Sequence, residues 1–175
     1  EDLDANRTTR STPAIEPERD PFRGAVAGEE WENNSLSMRC RWCPPGTFLM
    51  GSPSDEELRQ TDEGQVTVTL SSGFWMAETE TTQRVWERLM KTTPWKIEKR
   101  GDNYPAVKIS YADASLFCVK MTELGRREGW LPRGWSVRLP TEAQWEYACR
   151  AGTTTAYACG DGDELLSKHA WYGVS

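Results

Sequence analysis

The sequence has one histidine, no long apolar run and no excess of basic residues. His169 is the single histidine among 175 residues. No recognisable motif places a nucleophile beside it, so a catalytic role for His169 is not expected. No apolar stretch approaches the roughly 20 residues of a membrane-spanning helix, so no membrane span is predicted. The 21 Lys and Arg against 27 Asp and Glu give a net charge of -6. This balance argues against a nucleic-acid partner, because phosphate binding needs clustered cations.

Cysteine is also scarce, and its count is odd. The five cysteines are Cys40, Cys43, Cys118, Cys149 and Cys159. An odd number cannot form a closed disulfide framework. Cys40 and Cys43 have the spacing of half a zinc site or of a redox pair, but no second pair completes a zinc site. The turn 44–46 also follows where a redox motif would open a helix, so a structural role is favoured. The compartment stays undecided, since a start at Glu1 without a signal-type stretch fits a removed leader or a fragment.

The first 28 residues contain few large apolar side chains. Such a segment cannot bury enough surface to offset the entropy of ordering it, so residues 1–28 are predicted to be a disordered segment or a linker. The domain is predicted to cover residues 29–175. Nine tryptophans are the compositional oddity of the chain. Because each ring brings a large buried area, we expect them to fill the core of a loop-rich fold.

Short strands are predicted in the first half of the domain. Residues 38–42 form one strand, and residues 47–50 are its expected hairpin partner across the turn 44–46. Residues 65–70 alternate polar and apolar side chains, as a half-buried strand does. The side chains expected on its buried face are Val66, Val68 and Leu70. Residues 74–76 form another short strand after a Ser-Ser-Gly turn.

Two helices follow, each with a capping residue. The first begins at Thr81 or Thr82, and the second begins after Ser110, with Asp113 favouring its positive N-terminal end. The apolar face of the first helix carries Val85, Trp86, Leu89 and Met90. The apolar face of the second carries Ala114, Phe117, Cys118 and Met121. Cys118 is therefore expected to be a small buried apolar side chain.

A third helix has the clearest start, because Thr141 and Gln144 fit a capping box. Gly152 is expected to end it. Its predicted core face contains Trp145, Ala148 and Cys149. With short strands, three helices and much loop, the pattern indicates an α+β fold.

Charged residues near this helix invite a functional interpretation. The structural alternative is favoured: Glu142 complements the helix N-terminus, while Arg138 bridges to Glu146 or to the backbone. A later group could offer oxygen ligands to calcium: Asp161, Asp163 and Glu164. Their spacing lacks the glycine and terminal glutamate of an EF-hand loop, so a solvated turn is expected.

Taken in order, several segments resemble the formylglycine-generating enzyme (sulfatase-modifying factor) family. The most specific is Arg138–Ala148, which reads Arg-Leu-Pro-Thr-Glu-Ala-Gln-Trp-Glu-Tyr-Ala and differs from the family pattern only at Gln144. Weaker matches are Phe-Leu-Met-Gly-Ser at 48–52, Gln-Val-Thr-Val at 65–68, Gly-Phe-Trp-Met at 73–76, Glu-Thr-Thr-Gln at 80–83, Tyr-Pro-Ala-Val at 104–107 and Ile-Ser-Tyr-Ala-Asp-Ala at 109–114. The resemblance covers about residues 38–172. Thr81 replaces the usual Val, and Tyr111 replaces the usual Trp.

The resemblance implies an irregular C-type-lectin-like fold that is incomplete at its C-terminus here. It implies oxidation of a cysteine in a Cys-x-Pro-x-Arg segment of a sulfatase to formylglycine, using O2, Cu(I) held by two cysteines, and Ca2+. None of the five cysteines matches that pair, and the Asn expected at the first calcium site is absent from residues 159–161 and 169–171. No catalytic, cofactor-binding or metal residue is therefore assigned to this chain, which is predicted to be inert alone.

Two other functions stay open. A lectin-like fold also serves as a non-catalytic binding module. A related domain occurs in iron-dependent sulfoxide synthases, which would need a helical domain bearing histidine ligands, and no trace of one precedes residue 38. The departures at Thr81 and Tyr111 favour a divergent paralogue that does not act on sulfatases. A closely spaced cysteine pair encoded downstream would favour the oxidase.

Overall fold

Five short strands precede three helices along the chain. The computed structural model describes residues 20–56, 59–96, 100–155 and 157–160. The strands are β1 (Glu30–Trp31), β2 (Cys40–Cys43), β3 (Gly46–Met50), β4 (Val66–Leu70) and β5 (Phe74–Ala77). The helices are α1 (Gln83–Met90), α2 (Tyr111–Glu128) and α3 (Glu142–Arg150). The predicted α+β class is confirmed. Within the described ranges, no helix has the length and apolar character needed to cross a bilayer.

The strands form two separate antiparallel sheets. One sheet has the order β1-β2-β5, and the other pairs β3 with β4. The predicted strands at β2 and β3 exist, but the predicted hairpin between them is wrong. Trp42 of β2 lies opposite Trp75 of β5, and Phe48 of β3 lies opposite Val68 of β4. Residues 44 and 45 are both proline, whose fixed negative φ cannot form the tight turns that favour two-residue hairpins. The chain therefore passes from one sheet into the other.

Strand β4 buries part of its predicted face. Val68 and Leu70 are half-buried, as expected from the alternation. Val66, the first residue of β4, is 54% exposed. On the opposite face, the hydroxyls of Thr47 and Thr69 lie 2.9 Å apart across the β3–β4 pair.

All three helices begin at predicted caps. The Thr82 hydroxyl accepts from the amide of Val85, and the Ser110 hydroxyl accepts from the amide of Asp113. Thr141 forms a reciprocal capping box with Gln144, so the predicted start of α3 is confirmed. Each such cap satisfies backbone N–H groups that the first helical turn leaves without partners.

The main core lies between α1 and α2. The rings of Trp86 and Phe117 stack with centroids 5.4 Å apart and planes within 2° of parallel. Cys118 is only 8% exposed, which confirms the prediction of a buried apolar side chain. The full buried cluster is Leu36, Val85, Trp86, Trp95, Phe117, Cys118, Met121 and Leu124. Helix α2 therefore packs against α1 through side chains that the helical period predicts.

A second packed region is aromatic and lies on the three-stranded sheet. Its rings are Phe22, Trp31, Trp42, Trp75, Trp130 and Trp135. Phe22 makes edge contacts with Trp31 at 5.2 Å and with Trp135 at 4.9 Å. These tryptophans therefore fill interior space, as expected from their large buried area, whereas Trp145 is 60% exposed and Trp171 lies outside the described residues.

Hydrogen bonds attach the N-terminal end of the described chain to these rings. The indole of Trp75 donates to the carbonyl of Phe22 at 2.8 Å, and the indole of Trp135 donates to the carboxylate of Asp20 at 2.7 Å. The bond from Trp135 holds the pKa of the Asp20 carboxyl below its ordinary value. Asp20 and Phe22 thus belong to the packed part of the chain, although both fall in the predicted segment 1–28. Residues 1–19 lie outside the described residues, and for them the prediction stays a prediction.

Candidate functional site

Helix α3 carries the most specific sequence motif of the chain, but its buried face is not the predicted one. Trp145 is 60% exposed, and Cys149 is exposed as well. The helix instead turns Tyr147 toward β3, where its ring meets Phe48 edge-on at 5.2 Å. Tyr147 lies on the opposite side of α3 from Trp145 and Cys149, because successive helical residues are rotated by about a quarter turn. Packing on β3 thus exposes two of the three residues that the sequence pattern placed in the core, while Ala148 is half-buried.

A polar link joins the C-terminal half of α3 to the end of β3. Arg150 donates from Nε to Glu146 Oε1 at 2.7 Å and from Nη2 to the Gly51 carbonyl at 2.9 Å. The Gly51 amide donates to the same Glu146 oxygen at 2.8 Å. Both side chains are about one-fifth exposed, so water screens the link only in part. We call this set of three residues the α3–β3 clamp.

The clamp corrects the prediction for the charged residues near α3. Arg138 does not bridge to Glu146 or to the backbone; its Nε donates to the hydroxyl of Ser136 at 2.8 Å. Arg150 forms the ion pair with Glu146 because it lies four residues further along the helix, a spacing that brings the two side chains together. This spacing is visible in the sequence and could have predicted the pair. Glu142 lies in the first turn of α3, as predicted.

Gly51 has a conformation that suits only glycine. Its φ is +94°, and a Cβ there would lie 2.8 Å from the Glu63 carbonyl and 2.9 Å from the Gly64 carbonyl. A side chain would therefore collide with the backbone and also face the strain of a positive φ. Glycine at this position lets the end of β3 approach the backbone of residues 63–64 closely while its amide and carbonyl bind Glu146 and Arg150.

A cavity of about 650 Å3 runs along β3. Three consecutive β3 residues, 47–49, line it, together with Trp42 and Cys43 at the end of β2 and Tyr147 on α3. Side chains of consecutive strand residues alternate between the two faces. A cavity that touches all three must therefore lie at an edge of β3, and we call it the edge cavity.

A second cavity, of about 440 Å3, lies between the first sheet, α2 and residues 130–140. Its walls are mostly apolar, and they include the thiols of Cys40 and Cys118. Burial raises the pKa of Cys40 to about 11 and also raises the pKa of Cys118. Both thiols are therefore less acidic than an exposed cysteine thiol, which makes them poorer nucleophiles.

The Cys40–Cys43 pair does not have the geometry of a metal or redox site. Cys40 and Cys43 lie three residues apart on β2, so their side chains point to opposite faces of the sheet. Burial raises the pKa of Cys43 too. All five thiols are free. Among the residues that the structure describes, no three or more His, Cys, Asp or Glu side chains group so that they could hold a metal ion. His169, Asp161, Asp163 and Glu164 lie outside those residues.

Comparison with known proteins gives a consistent result. A family model described as "Sulfatase-modifying factor enzyme 1-like domain" matches residues 30–173. A formylglycine-generating enzyme of Mycobacterium tuberculosis is 38% identical over 73 residues, which is 40% of this chain and 20% of that protein. A formylglycine-generating enzyme of the mouse, Mus musculus, is 24% identical over 159 residues, covering 62% of this chain and 39% of that protein.

A solved structure shares the fold. PvdO from Pseudomonas aeruginosa superposes with a TM-score of 0.61 at 25% sequence identity. The match covers 74% of this chain and 53% of that chain. In each of these comparisons the matched part is well under two thirds of the relative's own length.

Proposed function

The chain belongs to the family of sulfatase-modifying factor enzyme 1-like domains, and we propose that it takes part in the chemistry of formylglycine formation. The proposed reaction is the oxidation of a cysteine in a protein to formylglycine with O2. In this proposal residues 29–175 are the N-terminal portion of the domain, and the catalytic cysteines lie in another portion. The substrate would be a protein or peptide of the sulfatase type.

The observation that carries the proposal is the match across residues 30–173. It includes α3, the helix that begins with the Thr141–Gln144 capping box. The two curated relatives that match bear the name of this activity. Thr81 lies just before the cap of α1 and Tyr111 is the first residue of α2, and both helices begin at their predicted caps.

The described residues do not fit the copper ion that the family implies. Cu(I) prefers deprotonated thiolates. Burial raises the pKa of Cys40 and of Cys118, which opposes thiolate formation, and β2 directs Cys40 and Cys43 to opposite faces of the sheet. Cys149 lies on the exposed side of α3, and Cys159 lies in the last described stretch of the chain, residues 157–160. We therefore assign the Cu(I) and Ca2+ of this family to other parts of a complete domain.

An aldehyde assay tests this proposal. A sulfatase-derived peptide with a Cys-x-Pro-x-Arg segment is incubated with Cu(I), O2 and a reducing thiol, and the product is trapped with a hydrazide and identified by mass spectrometry. The longest product of the same gene should form the aldehyde, and residues 1–175 alone should not. The Mycobacterium tuberculosis enzyme serves as the positive control.

Each result of this assay has a definite consequence. Aldehyde formed by residues 1–175 alone would contradict the assignment of the catalytic cysteines to another portion. A longer product that forms no aldehyde, while the positive control does, would contradict the proposed reaction.

The second candidate is a binding module without chemistry. It is favoured by the edge cavity, which offers open space beside a strand. A longer gene product that binds the peptide in calorimetry but leaves its cysteine unmodified would identify this function.

A further inference from the structure

Strand β3 has one edge paired with β4 and one edge that faces the edge cavity. In a strand, the N–H and C=O of one residue point to one edge, and those of the next residue point to the other. Beyond the end of β3, the Ser52 amide donates to Glu63, on the side of β4. The amide and carbonyl of Gly51 both point the other way, to the clamp side chains of α3. Odd-numbered residues thus face away from β4.

The same alternation continues back into β3. By this register, Thr47 and Leu49 direct their N–H and C=O groups to the outer edge, next to the edge cavity. The close approach of the Thr47 and Thr69 hydroxyls, at 2.9 Å, agrees with this, because side chains come closest in pairs that exchange no backbone hydrogen bonds. None of the hydrogen bonds among the described residues outside the strand ladders involves the backbone of Thr47 or Leu49.

The free part of this edge is short and closed at both ends. The clamp occupies the Gly51 end. At the other end the strand is preceded by Pro45, which has no backbone N–H to offer, while the Tyr147 hydroxyl lies over the face of the strand at Gly46. Between these ends the edge cavity lies open, and the Leu49 side chain is 45% exposed. Proteins normally cover or pair such an apolar edge, since it templates the addition of another strand.

We propose that an extended segment from the rest of the domain adds to the outer edge of β3 at Thr47 and Leu49, making β3 the central strand of a three-stranded sheet. This inference depends on the proposal above that residues 29–175 are one portion of a larger domain. The matched region covers 53% of the PvdO chain, so nearly half of that chain has no counterpart here that could supply a strand.

The length of the edge favours a segment of the same polypeptide over a separate peptide or a second copy. Four backbone groups allow only a few hydrogen bonds, whose net contribution is smaller than the cost of bringing two molecules together. A covalently connected segment avoids most of that cost, because the connection gives it a high effective concentration.

Amide hydrogen exchange measured by NMR tests the proposal on the unmodified protein. In residues 1–175 alone, the Phe48 amide should be protected by the β4 ladder, while the Thr47 and Leu49 amides exchange freely. In the longest product of the same gene, all three consecutive amides should be protected. Exchange at Thr47 and Leu49 should slow by about tenfold or more, as expected for stably paired backbone groups.

Proline substitutions give a second, independent measurement. Leu49→Pro removes an outward N–H, which an unpaired edge tolerates, whereas Phe48→Pro removes an N–H of the ladder. Leu49→Pro should therefore lower the Tm of the longer product but leave that of residues 1–175 nearly unchanged. Phe48→Pro is the matched control and should lower both.

Three results would overturn the proposal. One is an alternating exchange pattern in the longer product, with Phe48 protected and both neighbours free. Another is protection in residues 1–175 that grows with protein concentration, which would indicate a second copy as the occupant. The third is a gene that encodes nothing beyond Ser175.

The aldehyde assay tests the proposed reaction separately from the added strand. If the amides are protected but no aldehyde forms, the added strand is supported and the reaction is contradicted. If aldehyde forms while the amides exchange freely, the reaction is supported and the added strand is contradicted.

Discussion

Glu146 and Arg150 lie one turn apart on α3 and share a hydrogen bond of 2.7 Å, and both also bind the backbone of Gly51. The pair thereby connects two parts of the chain separated by 95 residues. A helix attached in this way has a fixed rotation about its axis. That rotation decides which aromatic residue, Tyr147 or Trp145, meets the sheet.

Replacing Arg150 should destabilise the fold. Arg150→Ala leaves the Glu146 carboxylate partly buried without its cation and frees the Gly51 carbonyl. We expect a loss of about 1–3 kcal/mol in the free energy of unfolding, measured by urea denaturation. Arg138→Ala is the matched control and should cost about 0.5 kcal/mol or less, since Arg138 is exposed and, among the described residues, bonds to Ser136 alone. Equal losses in the two variants would contradict the role of the clamp.

Replacing Gly51 should cost more than replacing another glycine of similar backbone conformation. Gly51 and Gly134 have φ values of +94° and +90°, but a Cβ would meet backbone only at Gly51. Both Ala variants face the strain of a positive φ, about 1–3 kcal/mol. Gly51→Ala should lose additional stability through the collision. Thermal unfolding of the two variants measures the difference, and a Tm no lower for Gly51→Ala would refute the collision.

The thiol of Cys40 should make stability depend on alkaline pH. Its folded pKa is raised from 9.0 to about 11. The protonated thiol favours the folded state, so this contribution is complete below pH 9 and is lost as the pH rises toward 11. We expect the loss to be on the order of 1–3 kcal/mol. The measurement is urea denaturation between pH 8 and pH 11. Cys40→Ala controls for lysine and tyrosine titration, and should remove this part of the pH dependence; an unchanged profile would exclude Cys40 as its source.

Thiol labelling should distinguish the exposed face of α3 from the core. Cys149 is exposed, whereas Cys40 and Cys118 are buried. With iodoacetamide at pH 8, Cys149 should react at the rate of a free thiol, while the two buried thiols react only through opening of the fold. Peptide mass spectrometry over time gives the order. Rapid labelling of Cys118 with slow labelling of Cys149 would restore the original prediction for α3.

The sequence predicts local features of this fold well. The caps at Thr82, Ser110 and Thr141 depend on residues within one turn, so their prediction needs no tertiary information. The buried face of α2 follows from its period for the same reason. The β2–β3 hairpin failed because strand pairing is non-local: β2 finds its partner Trp75 beyond both strands of the other sheet.

The candidate site was less predictable, for the same physical reason. Trp145 and Tyr147 are both aromatic, so helical period alone cannot tell which of them meets β3. The choice depends on Gly51, far away in sequence. The outer edge of β3 is likewise defined by backbone directions at Thr47 and Leu49, which side-chain chemistry does not reveal. Only the spacing of Glu146 and Arg150 carried a local signal.

The attachment of Phe22 beneath the aromatic rings has a practical consequence for recombinant work. The family match begins at residue 30, and an expression boundary chosen there would delete both Asp20 and Phe22. Trp135 and Trp75 would each lose the acceptor of an indole hydrogen bond. The second cavity, between the first sheet and α2, would lose the Phe22 ring from its wall. Such a fragment would expose aromatic surface and tend to aggregate. A start before Asp20, with any tag placed further upstream, keeps the aromatic packing whole.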